Sequence, residues 1–127
     1  ELKERLKQTM TENVGVVRND TGLRKALDDI EKISAEELPT MSLANKERLA
    51  NYDWIQALEV ISMIRLGEVI AKSALERTES RGSHHREDFV DMNDENWLKN
   101  LTVQWREGKI AIVATAVKSG IELKKVS

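Results

Sequence analysis

Residues 74–89 read ALERTESRGSHHREDF, a run in which three arginines, four carboxylates, two serines and two adjacent histidines crowd together. Metal binding there would use His84, His85, Glu87 and Asp88. Neighbouring side chains point apart on a strand, and helical ligand pairs need a spacing of three or four, so only His84 with Asp88 would qualify, and only in a helical turn. Both histidines of the chain lie in this run, and without a second ligand group elsewhere hydrogen-bonding histidines are the better reading. Ser80 and Ser83 stand near the histidines, but no Gly-x-Ser-x-Gly elbow is present. Nucleophilic triads are a matter of geometry and not of closeness along the chain. Gly15, Gly22 and Gly67 are isolated, so neither the dinucleotide nor the P-loop glycine pattern occurs. These residues give no catalytic, cofactor-binding or metal assignment.

The charges themselves are more informative. Arg77, Arg81 and Arg86 alternate with Glu76, Glu79, Glu87 and Asp88, which suits internal ion pairs or a charged protein interface better than a phosphate track. A solvated face is the plain alternative. Gly82 permits a sharp turn that would fix the charges after it. Residue chemistry alone therefore reads as a helical domain with a charged docking loop.

The rest of the chain must position that loop. With 127 residues, 20 basic and 22 acidic, the net charge is −2. That size suits one domain with a modest core, and the charge gives no general pull toward nucleic acid or anionic lipid. Cysteine is absent, which excludes disulfides, thiol catalysis and thiolate metal sites. The longest apolar run, IAIVATAV at Ile110–Val117, is far shorter than the ~20 residues of a membrane-spanning helix, so no direct membrane insertion is expected. The opening ELKERLKQ has neither an initiator methionine nor the apolar core of a signal peptide; it is expected to lie inside a longer chain.

Leu2, Leu6, Met10 and Val14 recur every four residues among charged ones, which predicts a first amphipathic helix ending near Gly15. Asp20 or Thr21 is expected to cap a second helix carrying Leu23, Ala26, Leu27, Ile30 and Ile33, closed by Pro39. PTMSLANKERLA reads as a connection. A third helix is predicted from about Asp53 to Arg77, apolar except for a narrow stripe of Ser62, Arg65, Glu68, Lys72 and Glu76. A helix with so little polar surface must be covered on most sides; the central place in a small bundle is the favoured reading, and a remaining face turned to something outside this chain is the alternative. Leu101, Val103 and Trp105 then alternate with polar residues, and Glu107-Gly108 precedes a β-branched run, predicting a hairpin. The expected fold is mainly α: a three-helix bundle (spectrin-repeat-like) over residues 1–78, then a charged docking loop and a short C-terminal β-hairpin over 79–127 of the same domain.

The order of residues adds a further inference. RTESRGSHHREDF, followed by DENWLKN, resembles the C-terminal domain of the flavoprotein subunit of succinate dehydrogenase and fumarate reductase. LKQTMTENVGVVRNDTGLRKAL is similar to that family's first helix, turn and second helix, and WREGKIAIVATAV to its terminal hairpin. Val90 stands where the family usually has proline, and Asn100-Leu101 where it has His-Thr. The resemblance implies a parent subunit that interconverts succinate and fumarate with FAD and passes electrons to an iron–sulfur subunit, on the cytoplasmic side and peripheral to the inner face of the plasma membrane. The flavin-binding and capping domains of that family lie upstream of this region, so this chain alone is expected to be inactive and to bind no cofactor. The implied partners are the rest of the flavoprotein and the iron–sulfur subunit, with no nucleic acid. Glu79, Arg81, Gly82, His84, Arg86, Glu87 and Asp88 are the candidate docking residues. L-Aspartate oxidase, more distantly the alpha subunit of adenylylsulfate reductase, and a free-standing helical adaptor are the alternatives.

Overall fold

The structure, a computed structural model, describes residues 1–41 and 52–117. Its contacts divide the chain into two compact units, Glu1–Met92 and a second that begins at Asn93. The charged loop falls within the first unit. The reason is that the loop's buried side chains tie it to the helices.

The first unit is built on three helices, α1 Leu2–Asn13, α2 Asp20–Lys32 and α3 Tyr52–Glu76, in mutual contact. Their apolar faces meet in two clusters. One joins Leu6 of α1, Ile30 of α2 and Ile33 just beyond it to Val60 and Ile64 of α3. The other joins Val14 and Leu23 to Ala26, Ala71 and Ala74. Small residues in this second cluster let the helices approach closely, and Gly67 of α3 serves the same end: an added Cβ would lie 3.3 Å from Met10 Sδ and 3.4 Å from Ile30 Cδ1. Among the described residues no helix is long and apolar enough to cross a membrane.

Two details depart from the sequence reading. The cap of α2 is Asn19, whose side chain accepts from the Gly22 N–H at 2.8 Å. Asp20 is already inside the first turn. At the other end the winding does not stop before Pro39. It widens into a π turn over Ile33–Glu37 and tightens into a 3-10 turn over Leu38–Thr40. Leu38 is helical (φ −58, ψ −42), because Pro39 occupies the opening of a short turn, where its missing N–H has no partner to lose. The Thr40 hydroxyl donates to the Glu37 carbonyl at 2.8 Å. Most of the connection expected at PTMSLANKERLA lies outside the described residues.

Between α1 and α2, β1 (Val17–Arg18) pairs in parallel with β2 (His85–Arg86) of the charged loop. The second unit holds a single helical turn, α4 (Asp94–Trp97), and the predicted hairpin, β3 (Lys99–Arg106) against β4 (Lys109–Ala116). Arg106 faces Lys109 across a two-residue turn, with Glu107 at φ 50 and Gly108 at φ 76. Two left-handed residues in succession are the tight turn whose twist matches the strands. Asn100-Leu101, one of the departures from the family pattern, lies within β3.

Leu6 is 1% exposed and belongs to the cluster that joins all three helices. Leu6→Ala should destabilise the first unit by about 2–5 kcal/mol, read as a lower midpoint in chemical denaturation with an unchanged slope.

Candidate functional site: an arginine clasp between two helix ends

α3 ends at Glu76, leaving carbonyls without intrahelical partners and a partial negative charge. Arg86, 0% exposed, meets them. Its Nη1 donates to the carbonyls of Ala74 (2.9 Å), Leu75 (3.1 Å) and Arg77 (3.3 Å). Its other edge grips Asp88 in a fork, Nε to Oδ1 at 2.8 Å and Nη2 to Oδ2 at 2.7 Å. Asp88 Oδ2 in turn accepts the backbone N–H of Asp20 at 3.0 Å, at the start of α2. One ion pair thus places a cation on the negative end of α3 and an anion on the positive end of α2. Both placements are favourable.

The loop backbone is folded to make this reach. Arg81 and His84 exchange backbone hydrogen bonds of 2.8 and 3.0 Å across a turn in which Gly82 adopts φ 59, a conformation that suits glycine. Ser80 Oγ accepts the Arg86 N–H at 2.8 Å and donates to the Phe89 carbonyl at 2.8 Å. The His85 N–H donates to the Val16 carbonyl and the Glu87 N–H to that of Arg18, stitching the loop to the segment before α2. The Arg86 guanidinium also lies 5.0 Å from the Phe89 ring centroid, a cation–π distance.

A second pairing sits alongside. Glu79, also 0% exposed, accepts from Arg77 Nη1 at 2.5 Å and from Arg81 Nε and Nη2 at 2.8 and 3.1 Å. A carbonyl cannot donate, so His84 must donate from Nε2 to the Arg77 carbonyl, at 3.1 Å. Burial, chiefly, and the nearby Arg18, Arg86 and Arg77 charges hold the His84 pKa below its usual value despite that bond. Glu87 is exposed at the surface and accepts from Asn19 Nδ2 at 2.8 Å.

The structure therefore brings the candidate docking residues together, but turns two of them inward. Glu79 and Arg86 are both 0% exposed, and the partners described above lie within the unit. Gly82, Glu87 and Asp88 are exposed, with Arg81 and His84 half-buried. Residues the sequence reading left out are the α3 carbonyls, Ser80, Asn19 and Arg18. Only Asn19 carried a readable signal, an Asx residue directly before a helix.

Residues 84–88 are not helical, so the spacing of His84 and Asp88 forms no ligand pair. Among the described residues no three His, Asp or Glu side chains are grouped to hold a metal. The first turn of α2 contains one glycine, Gly22, and an added Cβ there would meet Asn19 Oδ1 at 3.3 Å. The N–H of that glycine serves the cap, donating to Asn19 Oδ1.

A small helical bundle whose ends are locked by an arginine-centred loop defines the class: a helical accessory domain, with its charge spent on internal order. The chain belongs to the family of fumarate reductase flavoprotein C-terminal domains, which matches residues 3–125. It is 36% identical over 110 residues to the succinate dehydrogenase flavoprotein subunit of Coxiella burnetii, covering 87% of this chain and 18% of that one. It is 35% identical over 105 residues to the fumarate reductase flavoprotein subunit of Helicobacter pylori, covering 83% and 15%. Among solved structures it resembles Mycobacterium smegmatis Sdh1 in complex with UQ1, with TM-score 0.83, 30% identity and coverage of 92% and 20%. A quinol–fumarate reductase structure with menaquinol molecules shares the fold at TM-score 0.84 and 24% identity, over 92% of this chain and 21% of that one. The chain thus spans about a fifth or less of the length of these relatives. The main family reading fits; the L-aspartate oxidase and adaptor alternatives do not.

Arg86→Ala would take the cation from Asp88 and the buried donor from three carbonyls, and should cost about 3–5 kcal/mol. Arg86→Lys, which keeps the charge but not the fork, should recover only part of it in denaturant titrations. The Arg86 hydrogen bonds, foremost, hold the Asp88 carboxyl down at about 2. A depressed carboxylate contributes stability above its unfolded pKa and loses it as pH falls through the folded one. Stability should therefore decline between about pH 4 and pH 2, by about 1 kcal/mol after discounting for the solvent exposure of Asp88. In Asp88→Asn this component of the acid limb of a stability–pH curve should vanish.

Proposed function

We propose that this chain serves as the C-terminal packing and docking domain of a flavoprotein subunit that interconverts succinate and fumarate with FAD and hands electrons to an iron–sulfur subunit. The observation that carries this reading is the family match over residues 3–125, with the Glu79–Phe89 run inside it. In this reading the flavin and the reacting carbon atoms belong to other parts of the subunit. The complex is peripheral to the inner face of the plasma membrane.

The distribution of surface supports a docking role different from the one the charges suggested. Ile55, Leu58, Leu66 and Ile70 of α3 are all exposed, and their spacing puts them within about a third of the helix circumference. Apolar stripes of this kind mark interaction surfaces. Packing against the rest of the subunit is accordingly assigned to α3, while the loop tip, with exposed Gly82 and Ser83, supplies a polar rim.

The test uses the full-length flavoprotein co-expressed with its iron–sulfur partner. Leu58→Glu and Leu66→Glu, at positions 54% and 59% exposed, are expected to spare the fold of this unit. Together they should weaken subunit assembly or flavin retention on the order of tenfold. Full-length protein without FAD or succinate-oxidising activity would overturn the functional reading; unchanged assembly and flavin content in the double variant would overturn the docking face.

A further inference from the structure

β1 and β2 pair in register, so Arg18 and Arg86 are direct neighbours with side chains on the same face of the two-stranded ladder. Their fates differ. Arg86 has partners at all three side-chain nitrogens, from Asp88 and three carbonyls. Arg18 Nε, by contrast, is the one buried side-chain nitrogen or oxygen among the described residues with no hydrogen-bond partner. The carboxylates of the adjoining turn are committed elsewhere, Asp88 to Arg86 and to the Asp20 N–H, Glu87 to Asn19 Nδ2. Burial and the Arg86 charge both push the Arg18 pKa down, the signature of a cation lacking its counter-charge.

A guanidinium presents its donors in a planar fork that matches a carboxylate. The residues just before it, Val16 and Val17, are 62% and 55% exposed. Exposed valines beside a half-buried guanidinium suit a protein surface, whereas a small soluble anion has no use for them. An unmatched buried donor is costly, which favours a partner that is permanently in place, in the same polypeptide, over a dissociable subunit. We propose that Arg18 receives the carboxylate of an aspartate or glutamate from the remainder of the flavoprotein polypeptide, which packs over Val16 and Val17. The proposal rests on the reading of this chain as one domain of a longer flavoprotein.

The test is zero-length carbodiimide crosslinking of the full-length flavoprotein carrying Arg18→Lys, with the linked peptides identified by mass spectrometry. Arg24→Lys serves as control, because Arg24 Nε meets Asp20 Oδ2 at 2.7 Å within the domain. The expected result is an amide link from position 18 to an aspartate or glutamate of the same polypeptide outside residues 1–127. In Arg18→Gln, limited proteolysis should release the domain roughly tenfold faster. A link confined to Glu87 or Asp88, a link to a separate subunit, or no link while the control couples would each overturn the proposal. FAD content and succinate oxidation are measured on the same sample. A flavin-free, inactive protein counts against the functional reading, while the crosslink map judges the Arg18 contact separately.

Discussion

Everything in the first unit is arranged around one bidentate ion pair, Arg86 with Asp88. Removing a guanidinium from water is tolerable only when its nitrogens are partnered, and here all three are: Nε and Nη2 on a carboxylate, Nη1 on the carbonyls at the end of α3. That requirement dictates the turn at Gly82, the Ser80 hydroxyl that holds the loop backbone, and the course of β2 beside β1. It also fixes where α2 begins, since Asp88 and Asn19 share the job of satisfying its first N–H groups.

The apolar skeleton was legible in the sequence because it follows simple periods. Leu6 and Val14, Leu23 and Ile30, Val60 and Ile64 all fall on the faces that their spacing predicts, and all are buried. Glu107-Gly108 marked the hairpin turn correctly even though glutamate is an uncommon occupant of a left-handed position. The helix ends were less legible. Competition between Asn19, Asp20 and Thr21 for the cap is decided by which side chain also has a long-range partner, and Pro39 is accommodated by a change of helical pitch that no local rule encodes.

The charged loop shows the limit most clearly. Its composition correctly announced ion pairs, but composition does not say on which side of the surface they form. Glu79 and Arg86 look like any other members of a solvated run, yet both are wholly enclosed. What turns Arg86 inward is the proximity of the α3 terminus, whose free carbonyls demand donors, while Glu79 is held by the guanidinium groups of Arg77 and Arg81. The apolar stripe of Ile55, Leu58, Leu66 and Ile70 was legible only as a surplus, an apolar face larger than two short helices can cover.

The contact between Asn19 and Glu87 spans 68 positions of chain, as does that between Asp20 and Asp88. Closing so large a loop is an entropic burden, and it brings no reward until α2 and α3 are both wound and docked. On the ribosome, the start of α2 emerges well before the residues that complete its cap. Loop closure of this length favours an order in which the helices form first and the lock last. An interaction made after the transition state governs escape from the native state more than arrival in it. The arginine clasp is thus a kinetic latch, and its influence belongs on the unfolding limb of a chevron.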